Sequence, residues 1–194
     1  MKLIILVLGT LSVLPAQNFE VSFSAGPSLL QNPNLGSGST TGPADDFKLT
    51  DGFRFGFRMT VNNLNKFGHE FGYAYARTKL QTGGSPVGEQ GMAIHNGFYD
   101  FLLYGTKEGA RIRPFAAGGG QFSNFVPPGA SATQGGGSTK VGVNYGGGIK
   151  IKLASSWLLR FDLRQYLSGK PFGLYNAPGT IRQTEISAGI GFTL

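Results

Sequence analysis

The chain has 194 residues, a length that suits one domain, and its 32 glycines and 14% charged residues favour closely packed strands over helices. It has no cysteine, which excludes a disulfide framework, a thiolate metal site and a lipid-modified N-terminal cysteine. The formal net charge is +7, but the basic residues alternate with apolar ones along the chain instead of forming a cluster, which argues against a nucleic-acid partner.

Residues 1–16 have the layout of a secretory signal peptide. One positive residue, Lys2, precedes an apolar run from Leu3 to Val13, and the small residue Ala16 ends the segment. This run is too short to cross a bilayer as a helix. The alternative is a buried N-terminal strand. We predict export, cleavage after Ala16, and a single mature domain over residues 17–194.

Eight segments of the mature chain alternate apolar and polar residues with a period of two, which predicts strands with two different faces. The fourth has the least regular pattern, and we place Asp100 on its polar face, with Tyr99, Phe101 and Leu103 on the other. In chain order the predicted strands are Phe19–Leu30, Thr50–Val61, Phe67–Leu80, Gly91–Tyr104, Arg111–Phe122, Lys140–Leu153, Trp157–Leu167 and 181–194.

The connections between these strands alternate between long and short. Short connections are predicted at 62–66, 105–110 and 154–156, and long polar ones at 31–49, 81–90, 123–139 and 168–180. Long loops at one end and short turns at the other are typical of a transmembrane up-and-down barrel. Strands of about ten residues tilted by about 40° cover the apolar band of about 25 Å in such barrels.

The fold class predicted from this rhythm is all-β, an eight-stranded antiparallel up-and-down transmembrane barrel with apolar residues facing lipid. An even strand number with short turns at one end places both termini in the periplasm and the long loops outside. A soluble lipocalin-like barrel is the rival, and it would turn the apolar face inward. Aromatic residues near the strand ends are expected to form an interfacial girdle: Phe19, Phe67, Tyr104, Trp157, Tyr166 and Phe192.

Four stretches of the sequence resemble the outer-membrane β-barrel family of the OmpA/OmpX type. They are FGHEFGY at 67–73, RPFAAGGG at 113–120, GGGIK at 146–150 with RFDLR at 160–164, and SAGIGFTL at 187–194. The last is similar to the family's barrel-assembly signal. This implies that Gly189, Phe192 and Leu194 engage the barrel-assembly machinery, although members most often end in Phe where this chain has Leu.

The polar faces of the predicted strands place many charged side chains inside the barrel, where an eight-stranded barrel leaves room only for side chains. Folding the hairpin about Ser155 sets Lys150 opposite Arg160, with Asp162 one inward step away. We therefore predict a lumen charge network that plugs the barrel, built from Arg54, Arg58, Glu70, Asp100, Lys150, Arg160, Asp162, Arg164 and Glu185. The same inward face also carries Glu20, Arg111, Arg113 and Lys152. Cations outnumber anions on this face, so most are expected to pair across strands while some reach water near the strand ends.

The sequence offers little for catalysis. His69 and His95 lack a serine or carboxylate at a suitable spacing, Asp45 and Asp46 lack further calcium ligands, and the glycine runs lie inside strands. We expect no catalytic residue, no cofactor and no metal. The expected function is that of a monomeric barrel with a structural or surface-interaction role through its long loops. The alternatives are a lipid-A-modifying enzyme and a narrow channel for small hydrophobic solutes.

Outer-membrane lipid and lipopolysaccharide are the expected partners. Arg77 and Lys79 share the outward parity of the aromatic residues before them and lie at the loop end of the third strand. Cations at that depth would meet the phosphates of the outer leaflet. Lys170, in the last long loop, is expected to be exposed and without a structural role.

Overall fold

The structure is a computed structural model that describes residues 17–63, 65–83, 88–177 and 179–194, so the predicted signal peptide lies outside the described residues. Eight long strands form the wall: β1 (Gln17–Gln31), β4 (Gly52–Asn63), β5 (Phe67–Thr82), β6 (Gly88–Tyr104), β7 (Ile112–Val126), β8 (Ser138–Lys152), β9 (Trp157–Gly169) and β10 (Thr180–Thr193). The connection between β1 and β4 contains the short strands β2 (Asn34–Gly36) and β3 (Phe47–Leu49), and a short 3-10 helix (Ala132–Gln134) follows β7.

The eight long strands close into a barrel. Each pairs antiparallel with the next along the chain, and β1 pairs with β10 to complete the ring. The predicted all-β, up-and-down barrel is therefore confirmed. Among the described residues, no helix is long and apolar enough to cross a lipid bilayer.

The two faces of the wall follow the predicted alternation. Large apolar side chains lie on the outside, with Phe101 60% and Val141 81% exposed. Most of the polar residues that alternate with the apolar ones along the strands are buried inside the barrel. Asp100 is fully buried, as its placement on the polar face required. A lipocalin-like barrel would show the opposite arrangement, so that rival is excluded.

Two predicted loop boundaries are wrong because the strands extend further than the alternation indicates. The connection predicted at 81–90 is shorter than predicted, since β5 and β6 stay paired as far as Thr82 and Gly88. Cross-strand contacts support this extension: Glu89 accepts hydrogen bonds from Lys79 and Gln81 at 2.8 and 2.7 Å. The loop predicted at 123–139 shrinks in the same way, because β7 and β8 pair as far as Phe125 and Ser138.

An apolar cluster closes the loop end of the lumen, and we call it the outer cap. Its buried members come from the first long connection and from the inward faces of the wall strands: Leu35, Leu49, Ala76, Met92, Ile94, Phe125 and Ile181. Phe172 and Leu174, in the connection between β9 and β10, pack against it. The Ser37–Tyr175 bridge ties these two connections together.

Lys170 is not the free surface residue that the sequence predicts. Its ammonium donates to the carbonyl oxygens of Asn32, at 2.7 Å, and of Asn34. Burial beneath these segments lowers the pKa of the Lys170 ammonium. The lysine thus anchors the last long connection to the first. The sequence alone could not reveal this contact.

Candidate functional site

The centre of the lumen is organised around Glu70 on β5. Its carboxylate accepts from Arg160 Nη1 at 2.5 Å and Nη2 at 3.0 Å, and from Arg164 Nη2 at 2.8 Å. Arg58 Nε lies 3.6 Å away, and the Thr60 hydroxyl donates at 2.9 Å. Glu70 is 0% exposed, so one buried carboxylate faces three buried guanidinium groups.

Asp162 provides the second carboxylate of this central layer. It accepts from Arg160 Nε at 2.7 Å and Arg164 Nε at 3.2 Å. Arg164 Nη1 also donates to Asp100, which in turn accepts from the Asn144 amide at 2.7 Å. The two arginines of β9 are thereby linked to carboxylates on β5, β6 and β9.

Glu185 on β10 forms a third centre nearer the loop end. It pairs with Arg58 Nη2 at 2.7 Å and with Arg54 Nε at 3.1 Å, and it accepts from the Tyr166 hydroxyl at 2.9 Å. Arg54 also stacks on the Tyr166 ring, with Cζ 4.1 Å from the ring centroid. This group connects β4 to β9 and β10, so all three centres cross the lumen.

The predicted register of the β8–β9 hairpin is correct, because Lys150 is the partner of Arg160. The two cations, Lys150 and Arg160, do not share a carboxylate. Lys150 Nζ pairs with Glu20 Oε1 at 2.7 Å and donates to the Tyr104 hydroxyl at 2.9 Å, whereas Arg160 pairs with Glu70 and Asp162. Every member of the predicted lumen charge network is buried and lies in one of these groups.

The inward charges at the turn end behave differently from one another. Arg113 is buried, its Cζ lies 3.7 Å from the centroid of the Tyr104 ring, and its Nη1 lies 2.6 Å from Glu108 Oε2. Arg111 and Lys152 are exposed, as expected for residues at the mouth. Sequence reasoning missed Glu108, because it belongs to a turn and has no strand parity to reveal its direction.

Two residues of the predicted aromatic girdle are placed wrongly. Tyr104 and Tyr166 are each 1% exposed and point into the lumen, where their hydroxyls join the charge network. Their positions could have been read from parity, because Tyr104 shares a face with Asp100 and Tyr166 shares one with Arg164. The inward parity of Phe98 and Phe115 was likewise overlooked. Gly72 makes room for the first, since a Cβ there would lie 2.0 Å from Phe98 Cζ.

The two histidines lie on the outer face of β5 and β6 and contact tyrosines. His69 Nδ1 lies 2.7 Å from the Tyr99 hydroxyl, and His95 Nδ1 lies 2.5 Å from the Tyr73 hydroxyl. Neither contact supplies the nucleophile, base and orienting group that acyl-transfer catalysis needs. Within the described residues, no three His, Asp or Glu side chains are grouped so that they could hold a metal ion.

Arg77 and Lys79 both lie exposed on the outer face near the loop end of β5. Lys79 Nζ is 2.8 Å from Glu89 Oε2, so its charge is partly balanced. Arg77 forms no ion pair with any other described residue. Its guanidinium lies over Gly91, the partner of Lys79, where a Cβ would come within 3.0 Å of Arg77 Nη2. A cavity of about 380 Å³ adjoins Arg77 and is lined also by Tyr75, His95 and residues 126–133.

Two residues of the predicted assembly signal, Gly189 and Phe192, lie on β10, and Leu194 directly follows this strand. The Phe192 ring packs edge-on against Trp157, with 5.3 Å between centroids, and Leu194 is 73% exposed. The backbone N–H of Leu194 donates to the Phe19 carbonyl at 2.9 Å, which completes the seam between β1 and β10. Gly189 leaves room for the β1 backbone, since a Cβ there would lie 2.2 Å from the Phe23 carbonyl oxygen.

Comparison with known proteins gives a consistent result for the fold. The family model described as "Outer membrane protein beta-barrel domain" matches residues 3–193. Neisserial surface protein A (NspA) superposes with a TM-score of 0.62 at 15% identity, covering 91% of this chain and 97% of that one. No curated protein matches the chain.

Two further solved structures show the same architecture at low identity. The outer membrane protein OprG from Pseudomonas aeruginosa gives a TM-score of 0.61 at 12% identity, covering 92% of this chain and 96% of that one. Ail, the attachment invasion locus protein of Yersinia pestis, in complex with the heparin analogue sucrose octasulfate, gives 0.54 at 11%, covering 92% and 99%. At these identities the likeness concerns the fold alone.

Proposed function

Because the chain belongs to the outer membrane protein beta-barrel family, we propose that it is a monomeric, non-enzymatic barrel of a Gram-negative-type outer membrane, with a lumen closed to solutes. Its long loops face the outside and give it a structural or surface-interaction role. The cleaved signal peptide and assembly through the C-terminal strand are parts of the same proposal.

The observation that carries this proposal is the continuous ion-pair network across the lumen. Arg58, Arg160 and Arg164 are each 0% exposed, so water does not reach the centre of the barrel. The outer cap adds an apolar layer above them. Eight strands leave a space that side chains can fill, and here charged and aromatic side chains fill it.

We expect no steady ion conductance from the purified, folded monomer in a planar lipid bilayer, because the ion pairs would have to separate for an ion to pass. Single-channel recording at several voltages measures this, with the same detergent lacking protein as the control. Stable, repeated openings of one unit size would contradict the closed lumen and favour the channel alternative.

The enzyme alternative calls for a different measurement. Lipid A from cells with and without the protein is compared by mass spectrometry, and we expect identical spectra, since the hydrogen bonds of His69 and His95 to other described residues involve tyrosine hydroxyls and neither a serine nor a carboxylate. A new lipid A species that disappears in a His95→Ala variant would establish the enzyme instead.

We further propose that the outer rim contacts lipopolysaccharide, mainly through Arg77. This arginine faces the lipid side without an ion-pair partner among the described residues, and a guanidinium group forms short, paired hydrogen bonds with phosphate. His95 lies diagonally across β5 and β6 from Arg77, because Arg77 pairs with Ala93. With Nδ1 taken by Tyr73, Nε2 is the ring nitrogen left to face the same phosphate.

Arg77→Ala is expected to weaken binding of purified lipopolysaccharide about tenfold, the loss of one charge-assisted contact. Lys79→Ala serves as the matched control and is expected to have a smaller effect, because Glu89 already balances Lys79. Both can be measured by surface plasmon resonance on the folded chain. Unchanged affinity in the Arg77→Ala variant would refute the rim contact and leave the closed lumen untouched.

A further inference from the structure

The turn end of the lumen presents two successive like-charge pairs where β7 begins and β8 ends. Arg113 pairs in register with Lys150. The backbone N–H of Lys152 donates to the Arg111 carbonyl at 2.8 Å, which places these two residues opposite each other, one step nearer the mouth. Like charges directly opposite on an antiparallel pair repel, so each pair calls for an anion.

The inner pair receives its anions from the protein. Glu108 lies 2.6 Å from Arg113, and Glu20 lies 2.7 Å from Lys150. Each buried cation therefore has its own carboxylate, and the repulsion between the two is offset locally. Glu108 comes from the turn between β6 and β7, and Glu20 comes from β1 on the other side of the lumen.

The outer pair receives none. Among the ion pairs of the described residues, no carboxylate contacts Arg111 or Lys152, and both side chains are exposed. The acidic residue of the neighbouring turn, Glu108, is already held by Arg113. Arg111 and Lys152 thus form an uncompensated double cation whose side chains share the inward parity of Arg113 and Lys150.

A cavity lies beside this double cation. It has a volume of about 300 Å³ and is lined by Arg111, Lys152, Gly109 and residues 153–155 of the tight turn. A second cavity, of about 460 Å³, also adjoins Lys152 and is lined by Lys150 and Arg113 together with their carboxylate partners Glu20 and Glu108. An anion bound at the outer pair would therefore have space, with the fork of a guanidinium on one side and an ammonium on the other.

We propose that Arg111 and Lys152 bind a soluble oxyanion of the phosphate type at the turn-end mouth of the barrel. Arginine matches the paired oxygens of a phosphate group and lysine adds a point charge, so one phosphate satisfies both and removes their repulsion. The inward parity of both residues directs them over the mouth and away from the lipid. A phosphate group free in the periplasm therefore reaches them more directly than a lipid headgroup does.

The test titrates inorganic phosphate into the folded chain in neutral detergent micelles and follows phosphorus NMR line broadening. We expect saturable binding to the parent, weakened at least about tenfold in the Arg111→Gln/Lys152→Gln double variant. The matched control is Lys66→Gln/Lys107→Gln, which removes the same charge from exposed turns at the same end and should bind like the parent. A heat-modifiability gel verifies that each variant is folded.

Three results would overturn the proposal. The first is equal phosphate affinity in the parent and the Arg111→Gln/Lys152→Gln variant. The second is an equal loss in both double variants, which would show a general effect of net charge. The third is binding to phosphatidylglycerol vesicles without binding to inorganic phosphate, which would identify a lipid headgroup as the ligand. The proposal also requires that the single variant Lys152→Gln weaken phosphate binding. It can therefore still be refuted if the double variant fails to fold.

Discussion

Replacing Glu70 by glutamine is expected to lower the free energy of unfolding by about 3–5 kcal/mol, the range for breaking a buried ion pair. Glutamine keeps the shape of the side chain and can still accept from Thr60, but it cannot balance the charges of Arg160 and Arg164, which lie 2.5 and 2.8 Å away. Both guanidinium groups are fully buried and cannot turn to water. Urea unfolding of the chain in lipid vesicles, followed by tryptophan fluorescence, measures the loss.

The matched control is Glu89→Gln, which also replaces an ion-paired glutamate on the wall of the barrel. The Glu89 side chain is 41% exposed, so water can solvate Lys79 when the pair is lost, and we expect an unchanged unfolding midpoint. Equal midpoints for Glu70→Gln and the parent would contradict the central role of Glu70.

Asp162→Ala provides a ranking within the same network. Asp162 contacts Arg160 and Arg164 at 2.7 and 3.2 Å, but Glu70 still contacts both arginines after the change. The variant is therefore expected to be clearly destabilised, by less than Glu70→Gln. A larger loss of unfolding free energy in Asp162→Ala than in Glu70→Gln would show that the network is centred on Asp162 of β9 and not on Glu70 of β5.

Most of the fold prediction rested on strand parity, the alternation of apolar and polar residues. This alternation is a local property, so each strand displays it by itself. It placed Asp100 inside the barrel and set Lys150 opposite Arg160, and both placements are correct. The error at Tyr104 and Tyr166 arose because an aromatic residue near a strand end was assigned to the membrane interface although its parity points inward. Parity is the stronger signal wherever the two disagree.

What parity could not supply is the partner of each charge across the lumen. Lys150 pairs with Glu20, which lies 130 positions away, and Arg58 pairs with Glu185 at a separation of 127. Such pairs depend on the stagger of the strands around the barrel and on side-chain length, and no local pattern encodes either. The outer cap escaped prediction for a related reason, since Leu35 and Leu49 lie in a polar loop without a strand period.

The pair of Lys150 and Glu20 offers the sharpest test of whether charges hold the barrel together across its lumen. Lys150 lies on β8 and Glu20 on β1, strands that are not neighbours in the sheet, and the two side chains are 3% and 2% exposed. Either Lys150→Met or Glu20→Gln leaves one buried charge without its partner, and each is expected to cost about 3–5 kcal/mol of unfolding free energy.

The double variant removes both charges together and is expected to be more stable than either single variant, because no unpaired ion remains. The Tyr104 hydroxyl loses the charge-assisted hydrogen bond that it accepts from Lys150 at 2.9 Å, but it still donates to Asn62 Oδ1 at 2.6 Å. Urea unfolding of the parent, both single variants and the double variant gives the coupling energy, and the exposed Lys79–Glu89 pair provides the control cycle. Additive losses at Lys150 and Glu20 would show that the two charges do not stabilise each other. The ion pairs would then fill the lumen without linking its opposite walls.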